Sequence, residues 1–306
     1  MKKWVLKAVI QKTISFLPGK HRLNYLFQRY VTRGVQLSDA YFEDKLIHFR
    51  EHRNFYERQG HTLVGKTTLE IGTGWYPVVP LCCYLSGADR TISVDISELM
   101  SEQNLRATAE RLLRAVAAGE TEPYFAALPE RVTALQTALD TSNSRSELLQ
   151  ALGFDYRIAD ARRLELPAAS VDFFHSNNVF EHIYWEVLRD ILRHFQTLAA
   201  PRAAMSHFVD MSDHFAHLDG SISIYHFLRY SEKQWRRIDN DIQPQNRKRR
   251  SHFRELYRAL DLPITEERAR PGDLTALRAE PLHADFAALP EAEVAVSHVY
   301  LFSQLS

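Results

Sequence analysis

The sequence predicts an α/β fold, a parallel-rich seven-stranded sheet with helices on both faces. Two observations predict it. From Thr67 onward, short β-branched or aromatic runs alternate with segments of helical periodicity, the pattern of a parallel sheet covered by helices. The first run also ends in a turn of two glycines, Gly72 and Gly74, placed directly before the first helix. With 306 residues, 45% of them hydrophobic, the chain can bury a large core.

Taken in order, residues 1–62 read as a helical N-terminal extension. Trp4, Val5, Ala8, Val9 and Leu17 roughly follow helical spacing, with Lys3, Lys7 and Gln11 elsewhere. Lys7 and Lys12 interrupt the apolar part and no small-residue cleavage site follows, so a cleaved signal is not expected. Residues 1–60 carry twelve Lys/Arg against five Asp/Glu. The extension is read as an arm packed on the core. A helix lying on an anionic membrane surface is the alternative.

The core is expected over 63–210, with strands at 67–71, 90–95, 154–159, 171–176 and 204–210. Helices are expected over Val78 to Leu85, Ser97 to Ala118 and Glu181 to Leu198. The Ala-, Leu-, Glu- and Arg-rich stretch of about 101–150 reads as a helical insertion after strand two. Residues 211–306 then supply an acceptor-side lid and the last strands of the same domain. Candidates for those strands are "DLPITEE" and "VAVSHVYLFSQ", and Ser231 is expected to cap a helix. Cys82 and Cys83 are neighbours, which suits neither a disulfide framework nor metal-ligand spacing, and no apolar run approaches the ~18 residues of a membrane span. The chain therefore reads as cytoplasmic, with contact at the inner face of the membrane as the alternative. Formal charge is zero, so nothing global argues for nucleic acid.

In an open α/β sheet, ligands bind beyond the carboxyl ends of the strands, where Gly72 and Gly74 lie. A dinucleotide fingerprint would need glycine at 77, but Pro77 stands there and has no N–H to offer a pyrophosphate. The order "LEIGTGW", "SVDIS", "RIADARRLELP", "VDFFHSNNVFEHI" instead resembles the class I S-adenosylmethionine-dependent methyltransferases, over roughly residues 63–210. The resemblance implies a Rossmann-like core and S-adenosyl-L-methionine as cofactor. It places Gly72, Thr73 and Gly74 against the methionine and ribose parts, Asp95 with Ile96 at the ribose hydroxyls, and Glu70 near the cationic amino-acid part. Asp160 with Ala161 would meet the adenine amino group, and Asn177 would lie under the cofactor. The family's third glycine is Tyr76 here, so Trp75 and Tyr76 are expected to point away from the cofactor or to stack along it. Each acid also has a plain structural reading: Asp95 as a helix cap, Asp160 as a loop acid, Glu70 as the partner of an arginine.

Methyl transfer to a hydroxyl needs a base, and "SHFVDMSDHFAHLDG" follows strand five. His214 is the expected base, oriented by Asp210 or Asp213, with His182 as its competitor. The same residues from His207 to Asp219 could hold a divalent ion or form a polar loop; no metal is assigned. "HSNNVF" lacks the Asn/Asp-Pro-Pro-Tyr/Phe motif of amino-methylating nucleic-acid enzymes. The basic run "RKRR" (247–250) reads as a solvated loop or an anion contact, and aromatics over 208–230 suit a lid. The acceptor expected is a small molecule or a glycan, methylated on oxygen. A nicotinamide-dependent oxidoreductase and a non-catalytic membrane-surface protein of the same fold are the competing functions.

Overall fold

The structure is a computed structural model that describes residues 2–17 and 36–305. Part of the N-terminal extension, with Lys20, Arg22, Arg29 and Arg33 of its basic excess, lies outside the described residues. Helices α1 (Lys3–Ser15) and α2 (Asp39–Arg58) precede β1 (Thr67–Ile71), α3 (Val78–Leu85), β2 (Arg90–Asp95) and three insertion helices, α4 (Glu102–Ala117), α5 (Pro129–Thr141) and α6 (Arg145–Ala151). Then come β3 (Phe154–Ile158), β4 (Val171–Asn177), α7 (Trp185–Leu198), β5 (Ala199–Asp210), α8 (Glu232–Ile238), α9 (Arg250–Ala259), β6 (Glu266–Arg270) and β7 (His298–Gln304). The seven strands form one mixed sheet in the order β3-β2-β1-β4-β5-β7-β6. β1 runs parallel to both β2 and β4, and β2 to β3, with Glu70 level with Ser93 on one side and His175 on the other.

β1 to β4 and β7 form where β-branched and aromatic runs were read, but β5 begins earlier, at Ala199, β6 overlaps only the last two residues of "DLPITEE", and two helices start later than their sequence suggests. After β2, the N–H groups of Leu99 and Met100 donate to the Tyr156 hydroxyl (3.1 and 3.2 Å), which holds the chain extended until Ser101 caps α4. After β4, Glu181 and His182 sit in a 3₁₀ turn, Phe180–His182, and α7 begins only at Trp185.

The chain divides into two compact units. Among the described residues, one comprises 36–177, 190–207 and 302–305; the other comprises 2–17, 178–189 and 208–301. Of residues 1–62, the described residues 2–17 fall in the second unit and 36–62 in the first. In the first unit, α2 buries Phe42, Leu46, Phe49, Phe55 and Tyr56. Tyr56 stacks on Phe173 of β4 (4.6 Å between centroids) and Phe55 on Phe302 of β7 (4.5 Å), so α2 is a layer of the sheet unit.

In the second unit, α1 packs through Trp4, Ala8 and Gln11. Trp4 N donates to Asp219 Oδ2 (3.1 Å), its ring meets His226 edge-on, and Lys12 Nζ donates to Asp239 O (2.6 Å). Leu6, Val9, Phe16 and Leu17 are exposed, so Val9 and Leu17 do not share the packed face expected of them. α8 has the capping box that Ser231 suggested, closed by Gln234. The "RKRR" run is neither a solvated loop nor an anion contact: Arg249 is fully buried and donates to the carbonyls of Met211, Val294 and Val296, and Arg247 donates to those of Phe227 and Tyr230. Arg250 pairs with Glu267 and Glu293. These guanidiniums satisfy carbonyls that would otherwise be buried without partners.

Candidate active site

Strand order reverses between β1 and β4, and the carboxyl ends of those strands carry Glu70 and Asn177. The turn after β1 bends through Gly72 and Gly74, both in the left-handed region (φ 73° and 72°). Gly72 N donates to Val94 O (2.8 Å) and Gly74 N to Asp95 Oδ2 (3.1 Å), tying the turn to the end of β2. A Cβ on Gly74 would meet nothing within 4 Å, so the backbone there faces open space. Thr73 Oγ1, between the two glycines, is buried with no hydrogen-bond partner among the described residues. Burial pushes the Asp95 carboxyl up to about 8, against the pull of the Gly74 N–H, and nearby Glu70 pushes the same way. A buried carboxylate, an orphaned hydroxyl and an open glycine backbone fit a ligand rich in hydroxyls and amines. Ile96, the next residue, is 74% exposed.

Among the described residues Glu70 is met by an amide and a histidine rather than by an arginine. Its Oε1 accepts from Asn177 Nδ2 (3.3 Å) and lies 3.5 Å from His175 Nδ1. With its amide nitrogen turned to Glu70, Asn177 offers Oδ1 to His52 Nε2 (2.8 Å), so His52 is protonated there and its Nδ1 accepts from the Ser206 hydroxyl. Burial, with His175 next in effect, holds His52 well below the usual histidine range, so the ring is neutral. Tyr41 of α2 meets the Tyr76 ring edge-on (5.9 Å), and burial followed by Glu70 keeps its phenol protonated. Asp160 is turned toward Arg162, accepting from its backbone N (3.0 Å) and its guanidinium, which holds the carboxyl low, and Ala161 beside it is buried.

The other predicted residues gather in the second unit. His214 Nε2 lies 3.2 Å from Asp210 Oδ2, while Asp213 faces His226. His298 Nε2 is 3.4 Å from Asp210 Oδ1 and His217 Nε2 is 3.9 Å from Oδ2. Burial alone would raise the Asp210 carboxyl; pairing with His214 overrides it and holds the group well below the usual carboxylate range. His182 meets His214 edge-on (4.8 Å) and accepts no proton on Nδ1, which donates to Pro244 O (2.6 Å). Burial, then the His214 neighbour, brings His182 down to about 3. The stretch from His207 to Asp219 does not converge: His207 pairs with Ser176 in the first unit, and Asp219 accepts from Ser221 and Trp4. The sequence reading missed Glu181, His298, His52 and Tyr41. Glu181 adjoins His182 and could have been suspected; nothing in the sequence marks the others.

Residues 114–205 match the model of a family described as a methyltransferase domain. The match begins within α4 and spans β3 and β4; the glycine turn and Asp95 precede it. No curated protein matches the chain significantly. Solved structures similar to it include an S-adenosylmethionine-dependent methyltransferase from Mesorhizobium loti, 13% identical, covering 85% of this chain and 100% of that one with a TM-score of 0.42. Another is the Burkholderia thailandensis 1,6-didemethyltoxoflavin-N1-methyltransferase with 1,6-didemethyltoxoflavin and S-adenosylhomocysteine bound, 12% identical, covering 93% and 87%, TM-score 0.48. A third is phosphoethanolamine N-methyltransferase 2 of Haemonchus contortus, 13% identical, covering 91% and 59%, TM-score 0.46. No residue assignment rests on likenesses this distant. The chain thus carries a methyltransferase domain over residues 114–205, within a Rossmann-like sheet whose glycine turn faces a buried carboxyl group, features of an S-adenosylmethionine-dependent methyltransferase.

Proposed function

We propose that the enzyme methylates an oxygen atom of a small molecule or of a glycan sugar. The observation that carries this reading is the His214–Asp210 pair at 3.2 Å, with a second histidine, His182, held neutral by burial, against it. A hydroxyl acceptor must lose a proton to become a good nucleophile, whereas an amine or thiolate needs less help. S-adenosylmethionine supplies a methyl group on a sulfonium, which needs no activation by the protein. Glu70 would hold the cationic amino-acid part, Asp95 the ribose hydroxyls, and Thr73 with the Gly72–Gly74 backbone the face between them. Ile96 would lie beside Asp95 at the ribose, and Asp160 and Ala161 on the adenine side, Asp160 exchanging part of its Arg162 contact for the amino group.

We assign activation of the acceptor hydroxyl to Asp210, His214 and His182. The hydroxyl proton would pass to this cluster, and the cofactor, held by Glu70, Asp95 and Thr73, would supply the methyl group and keep the carbon–sulfur electron pair on its sulfur. Mass spectrometry of metabolite and glycan extracts incubated with the enzyme and deuterated-methyl cofactor tests the reading. Label on an oxygen is the expected result. Label on nitrogen, carbon or sulfur would refute the acceptor atom and leave the methyltransferase intact.

A further inference from the structure

We propose that Glu181, His182 and His214 form a binding site for one divalent first-row transition ion of the zinc type. One donor atom from each residue lies within 4.8 Å of the other two. An ion sits about 2.0–2.2 Å from nitrogen and oxygen ligands, so modest side-chain rotation brings all three onto it.

The surroundings prepare these donors. His182 Nδ1 donates to Pro244 O (2.6 Å), which fixes the proton on that nitrogen and leaves Nε2 with a free lone pair. A histidine tied to a backbone carbonyl through its other nitrogen is the usual support of a metal ligand. His214 has the matching arrangement with a carboxylate, since Asp210 Oδ2 lies 3.2 Å from its Nε2. The backbone of the turn is held as well: Asn246 Nδ2 donates to the carbonyls of Phe180 (2.7 Å) and Ile183 (2.9 Å), and Asn246 N to that of Glu181 (2.9 Å).

The donor set chooses the ion. Two imidazoles with one carboxylate suit zinc, iron(II) or manganese, whereas magnesium and calcium prefer all-oxygen sites. The role of the ion rests on the acceptor reading above: bound at this cluster, it would make the acceptor hydroxyl acidic in place of a free imidazole.

The test uses tag-free full-length protein stripped by chelator and titrated with zinc alone, then magnesium alone, by calorimetry. Zinc should bind at one equivalent and magnesium should not. His182→Ala and His214→Ala should each weaken zinc at least about tenfold, while His283→Ala, at an exposed histidine beside Asp285, should not. Cobalt(II) loaded into the wild-type chain should show imidazole nitrogen coupling by pulsed electron paramagnetic resonance, a readout that holds even if a variant fails to fold. No stoichiometric zinc in the wild type, undiminished zinc in both variants, or cobalt without imidazole coupling would overturn the site. S-adenosylhomocysteine titrated into the stripped protein keeps the cofactor reading separate: its binding persists whether or not the metal site exists.

Discussion

Both units bury histidines beside a carboxylate, but they use them differently. Around Glu70, each polar group of the file Glu70–Asn177–His52–Ser206 donates or accepts in turn, and the file joins β1, β4, α2 and β5. Around Asp210, three histidines approach one carboxylate within 3.9 Å, and a fourth, His182, stands against His214. The first arrangement fixes the direction of a carboxylate. The second accumulates nitrogen lone pairs near one. A closed file suits holding a cofactor, and an open cluster suits moving a proton or binding an ion.

The comparison can be broken first at the glycine turn, which the Glu70 side must serve if it holds a cofactor. Gly74→Val should abolish measurable cofactor binding, because its side chain would fill the open space beside the backbone. Left-handed backbone costs a non-glycine residue about 1–2 kcal/mol, so the melting temperature should drop by only a few degrees. Calorimetry with S-adenosylhomocysteine and a thermal melt read the two effects apart, and intact binding would remove the turn from the site.

A smaller effect is expected one step back, at His52. His52→Leu leaves Asn177 Oδ1 and the Ser206 hydroxyl without their His52 partner and should weaken cofactor about tenfold through loss of Glu70 orientation, with roughly 1–3 kcal/mol of stability lost as well. His52→Gln can donate to Asn177 and accept from Ser206, so it should recover most of the affinity. Equal affinity in the leucine and glutamine variants would make the file a packing feature only.

At Asp95 the expected effect is a slope with pH rather than a single loss. Its folded value of about 8 lies above the ordinary 3.8, so the folded chain holds a proton that the unfolded chain releases. Stability should therefore fall by up to about 1.4 kcal/mol per pH unit as pH rises from about 4 to about 8. Asp95→Asn removes that slope. The variant should be no more stable than wild type at pH 4 and clearly more stable at pH 8, while binding cofactor worse. Parallel stability curves for the two proteins would show that Asp95 ionises freely.

Much of this was legible in the sequence where the signal is local. Strand runs from Thr67 to Asn177, the Gly72–Gly74 turn, Asp95 at the end of β2 and the Ser231 cap all depend on residues within a few positions of each other. What was illegible depends on distant partners. Arg249 reads as a surface charge until Met211, Val294 and Val296 turn their carbonyls to it. His52 reads as one more polar residue of α2 until Asn177, 125 positions later, requires its proton. Asp210 and Asp213 are indistinguishable by spacing, and only the fold sets the first beside His214 and the second beside His226. Glu181 was taken for the start of a helix and belongs instead to a turn clamped by Asn246.

The central claim is that the turn, Glu70 and Asp95 hold S-adenosylmethionine. Its most direct test is a calorimetric titration of the wild-type chain with S-adenosylhomocysteine, with NADH titrated in parallel. One equivalent of S-adenosylhomocysteine should bind, weakened about tenfold in Asp95→Ala by loss of its hydrogen bonds to the ribose, worth about 0.5–1.5 kcal/mol each, and NADH should give no binding heat. Saturable NADH binding without S-adenosylhomocysteine binding would contradict the account.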